Sequence, residues 1–170
     1  MTGVRRLLDC VMGTLCSVLL GVLVLVLTWQ VVSRYALNSP STFSEEALRF
    51  GLVWLSLLGA AYAAGRGNHM SVELLREMAS GRIRRMMEYL VPISFILFAA
   101  GVMIPGGLKA MEIASTQSTA VLRLPMSIVY AALPVSGVLI ILYSLLNMFD
   151  LWTGEALRED TVEHAMASGD

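Results

Sequence analysis

The sequence has few charged residues and few of the side chains that carry catalytic or metal chemistry. Charged residues make up 15% of its 170 positions, against roughly 25% in soluble proteins. Its two cysteines, Cys10 and Cys16, lie in one apolar run and would point to different faces of a helix, so they cannot bridge each other. We therefore interpret them as small packing residues and expect neither a disulfide framework nor a cysteine-based metal site.

The sequence patterns of common enzymes are also absent. There is no HExxH pair, no glycine-rich phosphate loop and no Ser/His/Asp order. The two histidines, His69 and His164, lie outside the apolar runs, whereas a membrane haem is normally held by histidines on facing helices. The net charge is -1 and no basic stripe is interleaved with aromatic residues, so nothing favours a nucleic-acid partner. We predict a chain that is not an enzyme and holds no cofactor.

What the sequence does have is four long uncharged runs, at residues 10–33, 50–65, 89–108 and 124–149. The first has 24 residues. These make about 36 Å of helix, enough to cross a hydrocarbon core about 30 Å thick. We predict an all-α integral membrane protein with four transmembrane helices, at about residues 8–33, 45–65, 86–108 and 125–149. The third should break or kink near its far end, where Pro105 precedes two glycines.

The alternative for the first run is a cleaved signal peptide, whose apolar core is about 7–15 residues long. This run is longer and ends at Trp29, Arg34 and Tyr35, residue types that anchor helices at the membrane interface. We therefore expect the first run to be retained as a membrane span.

The placement of lysine and arginine predicts the orientation, because cytoplasmic loops are enriched in these residues. Eight of them lie on the side of the two termini and of the loop between the second and third spans, and four lie on the other side. We therefore expect both termini in the cytoplasm.

The basic loop between the second and third spans contains apolar residues at helical spacing. This pattern predicts a short helix lying in the cytoplasmic interface, at about residues 71–80. The same loop begins with Arg66 and His69. Because His69 has no second ligand nearby, we interpret it as an interfacial or capping group. Residues 151–170 are predicted to form a polar C-terminal tail.

Charged residues stand at the start of the second span. Thr42 and Glu45 fit a capping box, in which each side chain accepts from a free backbone N–H of the first turn. Arg49 follows within side-chain reach of Glu45 and Glu46. Three interpretations stay open: a charge-compensated helix start, a partly buried ion cluster that includes Arg34 and fixes a docking surface, or a substrate site.

Small residues crowd the second half of the same span. Gly59, Ala60, Ala63 and Ala64 form pairs spaced four apart, and such pairs let membrane helices approach closely. Together with Trp54 they are predicted to pack against another helix, which belongs either to this chain or to a partner protein.

In this order and membrane topology, the residues resemble the small membrane subunit of the tripartite ATP-independent periplasmic (TRAP) transporters, the DctQ-like family. The resemblance rests on Arg34, Tyr35, Glu45, Glu46, Arg49, Trp54, Gly59, Ala60, Ala61, Arg66 and His69. One departure is Phe43, where the family often has a tryptophan. Phenylalanine keeps an aromatic anchor but lacks the N–H donor.

The resemblance implies a small, non-catalytic scaffold subunit of a sodium-coupled importer (a symporter) for carboxylates or other organic acids, placed in the inner membrane of a bacterium. Its implied partners are a large multi-span membrane subunit, which moves the substrate, and a periplasmic substrate-binding protein, which delivers it. The alternative is an autonomous homo-oligomeric carrier or channel. That alternative is weakened because no apolar run carries an Asp or Glu near its middle, and ion-coupled carriers usually keep ionisable groups there.

Overall fold

The computed structural model describes residues 2–39, 41–66 and 82–153. Most of these residues are helical. The helices are α1 (Thr2–Tyr35), α2 (Thr42–Gly65), α3 (Arg82–Phe98), a π-helical segment (Ala99–Met103), α4 (Ile104–Ile113), a 3₁₀ turn (Ala114–Thr116), α5 (Met126–Tyr130) and α6 (Ala132–Thr153).

Four helical stretches are long and apolar enough to cross a membrane: Gly3–Tyr35, Thr42–Gly65, Tyr89–Thr116 and Met126–Trp152. They confirm the all-α class with four membrane-length helices. The interfacial helix expected at 71–80 lies outside the described residues, as does the tail beyond residue 153.

The spans pack in an open row. α1 packs along α2, α2 packs along α6, and α6 packs along α3, the π-helical segment and α4. The spatial order is therefore first, second, fourth and third span. The fourth span, which has a neighbouring span on each side, is the most buried of the four inside the chain, and the first span, at the edge, is the least buried. We call this arrangement the helix row.

Small residues bring neighbouring helices of the row close together. Ala61 and Ala99 are fully buried and pack with Met103 and Ile140 where α2, α6 and the third span meet. A methyl group added at Gly107 would lie 2.5 Å from Cδ of Pro134, so only glycine allows α4 to approach α6 there. Packing of this kind, rather than a hydrophobic driving force, holds helices together in lipid.

The turn between α1 and α2 corrects the predicted cap of the second span. Ser41, and not Thr42, is the N-cap: it is extended, with φ -85° and ψ 99°, and its hydroxyl accepts from the Ser44 backbone N–H at 3.4 Å. Thr42 already belongs to the helix. The turn before it contains Asn38 at φ 50°, a left-handed conformation that asparagine adopts more readily than most residues.

Prolines accompany interruptions in the third and fourth spans, and for the third a break or kink near its far end was expected. Before Pro105 the third span widens into its π-helical segment, where the Ile104 N–H bonds to the Ala99 carbonyl, five residues back. A proline ring crowds the carbonyl four residues before it, and π turns commonly accompany such interruptions. In the fourth span, α5 and α6 are separated at Ala131, three residues before Pro134.

Candidate functional site

The predicted site residues of α2 divide between two faces of the helix. Successive residues of an α-helix are rotated by about 100°, so neighbours in sequence can point to opposite sides. Glu45 is exposed whereas Glu46 is half-buried, and Ala63 is exposed whereas Ala64 is buried. The exposed face of α2, defined here by Glu45, Arg49, Leu52, Ser56, Ala60 and Ala63, runs the length of the helix.

At one end of this face, Glu45 pairs with Arg49. Their charged atoms are 3.7 Å apart, and the side chains are 57% and 71% exposed. Exposed pairs of this geometry contribute little to stability because water screens them. Arg34 is also exposed, in the last turn of α1. Between the described residues, the ion pairs are Glu45 with Arg49 and Arg5 with Asp150.

Glu46 faces the loop between the third and fourth spans instead. Its Oε2 accepts from the backbone N–H groups of Val121 at 3.0 Å and Leu122 at 2.7 Å. The loop is closed on itself, since the Thr119 N–H bonds to the Leu124 carbonyl at 2.9 Å and the Leu124 N–H bonds to the Thr119 hydroxyl at 3.0 Å. Glu46 therefore links the start of α2 to a structured loop, which the sequence analysis missed.

The closed loop, residues 117–125, carries the exposed Arg123. Arg123 adopts φ 51°, a left-handed conformation that is uncommon for residues other than glycine. The Met126 N–H bonds to the Gln117 carbonyl at 3.0 Å, and Ser118 and Pro125 form an antiparallel bridge at the base of the loop. Backbone hydrogen bonds thus join the two ends of the loop, and the Glu46 carboxylate attaches the loop to the start of α2.

The small residues of α2 also divide between its exposed face and its buried side. Gly59 faces open space, since a methyl group added there would meet nothing within 4 Å. Ala60 and Ala63 are exposed. In contrast, Ala64 is buried and its carbonyl accepts from the Asn147 side chain at 3.3 Å. Trp54 packs inside the chain, against the cluster of Met12, Leu58 and Tyr143.

Arg66 ends α2. Its backbone N–H bonds to the Tyr62 carbonyl at 3.2 Å, and its guanidinium lies 5.4 Å from the centre of the Tyr62 ring. Stacking of this kind is a cation–π interaction, and it holds the arginine against the end of the helix. His69 lies outside the described residues.

In the described part of the chain, no group of three or more His, Cys, Asp or Glu residues could hold a metal ion. The exposed face of α2 combines an ion pair at one end with small residues at the other. Such a surface suits packing against another protein or lipid.

Comparison with known proteins agrees with the resemblance described from the sequence. Residues 23–154 match the family model for the DctQ component of the tripartite ATP-independent periplasmic transporters. The chain is 26% identical over 147 residues to the sialic acid TRAP transporter small permease protein SiaQ of Vibrio cholerae, covering 86% of this chain and 84% of that protein.

A second relative is a longer protein. The chain is 27% identical over 143 residues to the sialic acid TRAP transporter permease protein SiaT of Haemophilus influenzae. The match covers 82% of this chain but 22% of SiaT. In SiaT, a region similar to this chain is therefore one part of a larger permease polypeptide.

Proposed function

We propose a function from one premise: the chain belongs to the DctQ component family of the tripartite ATP-independent periplasmic (TRAP) transporters. It is a small permease subunit of such a transporter, a multi-pass protein of the inner membrane, and its family is one of transport subunits, not enzymes. The steps beyond this premise, which concern its mechanical role, its partners and its orientation, are proposals.

The proposed role is that of a scaffold that moves no solute by itself. The observation that carries this proposal is the helix row, in which each span packs on its immediate neighbours. The clusters packed between neighbouring spans are hydrophobic. The ion pairs and the hydrogen bond from Asn147 to the Ala64 carbonyl lie near helix ends. A row of this kind is suited to form a static surface, along which a mobile domain of a partner can slide.

The proposed partner within the membrane is a large multi-span permease subunit. SiaT supports this, because there the region similar to this chain shares one polypeptide with the rest of a longer permease. We propose that the exposed face of α2, together with Gly59, contacts that subunit. Backbones can approach closely at Gly59, Ala60 and Ala63, whereas Trp54 and Ala64 are occupied by packing within the chain.

The complete transporter is proposed to be a sodium-coupled importer of an organic acid that a periplasmic binding protein delivers. The acid class agrees with the names of two relatives, which are described as sialic acid transporter components. Both termini are proposed to be cytoplasmic on the basis of the lysine and arginine distribution. The 117–125 loop would then face the periplasm.

An uptake assay tests the scaffold proposal. The large subunit and the binding protein are produced with and without this chain, and uptake of their organic acid is compared at equal amounts of large subunit in the membrane. We expect uptake to be lost when the chain is omitted, because the partner lacks its static support. Full uptake without the chain would overturn the proposal.

A further inference from the structure

A cluster of polar side chains joins three helices at the end of the row where α1 begins and α2 and α6 end. Arg5 of α1 forms an ion pair with Asp150 of α6 and also donates to the carbonyl of Gly65, at the end of α2, at 3.3 Å. Asn147 of α6 donates to the Ala64 carbonyl at 3.3 Å. We call this group of residues, together with Asp9 and Tyr143, the tail-end cluster.

Two buried oxygens of this cluster have no hydrogen-bond partner among the described residues: Oδ1 of Asp9 and the hydroxyl of Tyr143. Tyr143 is fully buried. Asp9, Tyr62 and Arg5 are ionisable side chains that lie around the Tyr143 hydroxyl. Leaving a buried polar group unpaired costs about 1–3 kcal/mol, and such groups in native proteins almost always find a partner.

The two orphaned atoms complement each other chemically. An ionised carboxylate oxygen only accepts hydrogen bonds, and a phenol O–H donates one. Asp9 lies one helical turn after Arg5 on α1, so both residues occupy the same side of that helix. Arg5 already reaches Asp150 of α6 from that side. Tyr143 lies on α6 two turns before Asp150, which places it opposite Asp9 in the same way.

Gly65, at the end of α2, leaves room for the Tyr143 ring beside Asp9. A methyl group added at Gly65 would overlap the Tyr143 ring. Gly65 is buried, and it is also the residue whose carbonyl accepts from Arg5. The glycine therefore serves both parts of the cluster: it admits the Tyr143 ring and offers a carbonyl to the arginine.

The cluster matters because α1 is at the edge of the helix row. The extended packing surface of α1 is with α2, and most of its large apolar side chains face outward. At this end α1 also meets α6, since Met12 packs in one cluster with Leu58 and Tyr143. Polar bonds to α6 there would restrict where the edge helix can stand.

We infer that Tyr143 donates a hydrogen bond to Asp9, and that this bond and the Arg5–Asp150 ion pair form a polar lock that fixes α1 to α6 across the end of α2. Tyr143 is a positioning residue in this account: it sets where the edge helix stands. The inference concerns the fold of this subunit alone and holds or fails independently of its role as a scaffold.

The first part of the test is a set of variants of the full-length protein in detergent. Tyr143→Phe removes the donor, Asp9→Ala removes the acceptor, and Asp9→Asn keeps an acceptor oxygen. The control is Tyr130→Phe, at a tyrosine that is 38% exposed. We expect Tyr143→Phe and Asp9→Ala each to lower Tm by roughly 2–8 °C, Asp9→Asn to lower it less, and the control to leave it unchanged.

Combining Tyr143→Phe with Asp9→Ala tests whether the two residues act through one bond. If they do, the double variant loses about as much as either single variant, since the second change removes nothing further. Losses that add up would overturn the proposed bond. So would an unchanged Tm in Tyr143→Phe.

The lock itself is tested by measuring the distance between α1 and α6. If Tyr143 only filled space in the core, its loss would leave this distance unchanged. Spin labels are placed at Leu7 of α1 and Trp152 of α6, which are 67% and 78% exposed, after Cys10 and Cys16 are replaced by serine. We expect Tyr143→Phe to broaden the α1–α6 distance distribution, and a control pair at Ala63 of α2 and Trp152 to stay unchanged. A lower Tm with an unchanged α1–α6 distribution would overturn the lock.

Discussion

At the scale of single residues, Glu45 and Glu46 are adjacent in sequence and have different partners. Glu45 pairs with Arg49 on the exposed face of α2, whereas Glu46 accepts hydrogen bonds from two backbone N–H groups of a loop 75 and 76 positions away in sequence. The sequence left three interpretations of these charges open: a charge-compensated helix start, an ion cluster that fixes a docking surface, or a substrate site. It could not indicate the partner of Glu46, because the hydrogen bond joins peptide groups, which every residue type possesses.

The Glu46 contact gives a prediction about the 117–125 loop. Glu46→Ala removes the acceptor for the N–H groups of Val121 and Leu122, so we expect their hydrogen exchange to become several-fold faster. Glu45→Ala is the matched control, since its carboxylate contacts only Arg49 among the described residues. Equal exchange in both variants, measured on the full chain in detergent, would show that Glu46 does not hold the loop.

Gly65 and Gly59, both on α2, give a second prediction at this scale. Gly65→Ala places a methyl group that overlaps atoms of the Tyr143 ring. The change should destabilise the fold by about 1–3 kcal/mol, the usual cost of overpacking. Gly59→Ala meets nothing within 4 Å and should be neutral or stabilise the helix by up to about 1 kcal/mol. Unfolding of the isolated subunit in detergent measures both, and equal stabilities would contradict the packing described here.

At the scale of helices, the hydrophobic runs were sufficient to predict four spans but not their internal geometry. The third span contains a π-helical segment before Pro105, and the fourth divides at Ala131 before Pro134. Proline in the sequence marked both regions. Proline alone does not determine the helix geometry at these two places, because the response of a helix to proline depends on how its neighbours pack around the altered turn.

The contact between the third and fourth spans depends on Gly107. Gly107→Ala brings a methyl group to 2.5 Å from Cδ and 3.0 Å from the backbone nitrogen of Pro134. Because a proline ring and a backbone atom cannot easily move aside, we expect a loss of about 1–3 kcal/mol of stability.

The adjacent glycine is the matched control for this change. Gly106→Ala faces open space and should retain the stability of the unchanged protein or exceed it slightly. Thermal unfolding in one detergent compares the two variants. If Gly106→Ala were the more damaging change, the two spans would have to meet through a different face.

At the scale of the whole molecule, the row of spans explains why the predicted site residues do not form one site. Glu46, Trp54 and Ala64 are used within the chain, whereas Glu45, Arg49, Ala60 and Ala63 face outward. The order of spans in the row could not be read from the sequence, because the apolar runs are hydrophobic nearly all round and do not mark a buried face.

The outward-facing residues give a prediction about assembly. Gly59→Leu fills the open space beside the exposed face of α2 and should reduce copurification of the large subunit about tenfold, which corresponds to about 1.4 kcal/mol. Gly21→Leu on α1, where a methyl group also meets nothing within 4 Å, is the control and should copurify normally. Loss of the partner with Gly21→Leu alone would place the interface on α1 instead.

The central claim is that this small permease subunit supports transport without conducting solute itself. The most direct measurement compares uptake under an inward sodium gradient into vesicles that contain the purified subunit alone, the subunit with the large subunit and binding protein, or no protein. The probe is a radiolabelled organic acid that the complete transporter takes up. We predict uptake only with the complete set; uptake by the small subunit alone, above the level of protein-free vesicles, would contradict the claim.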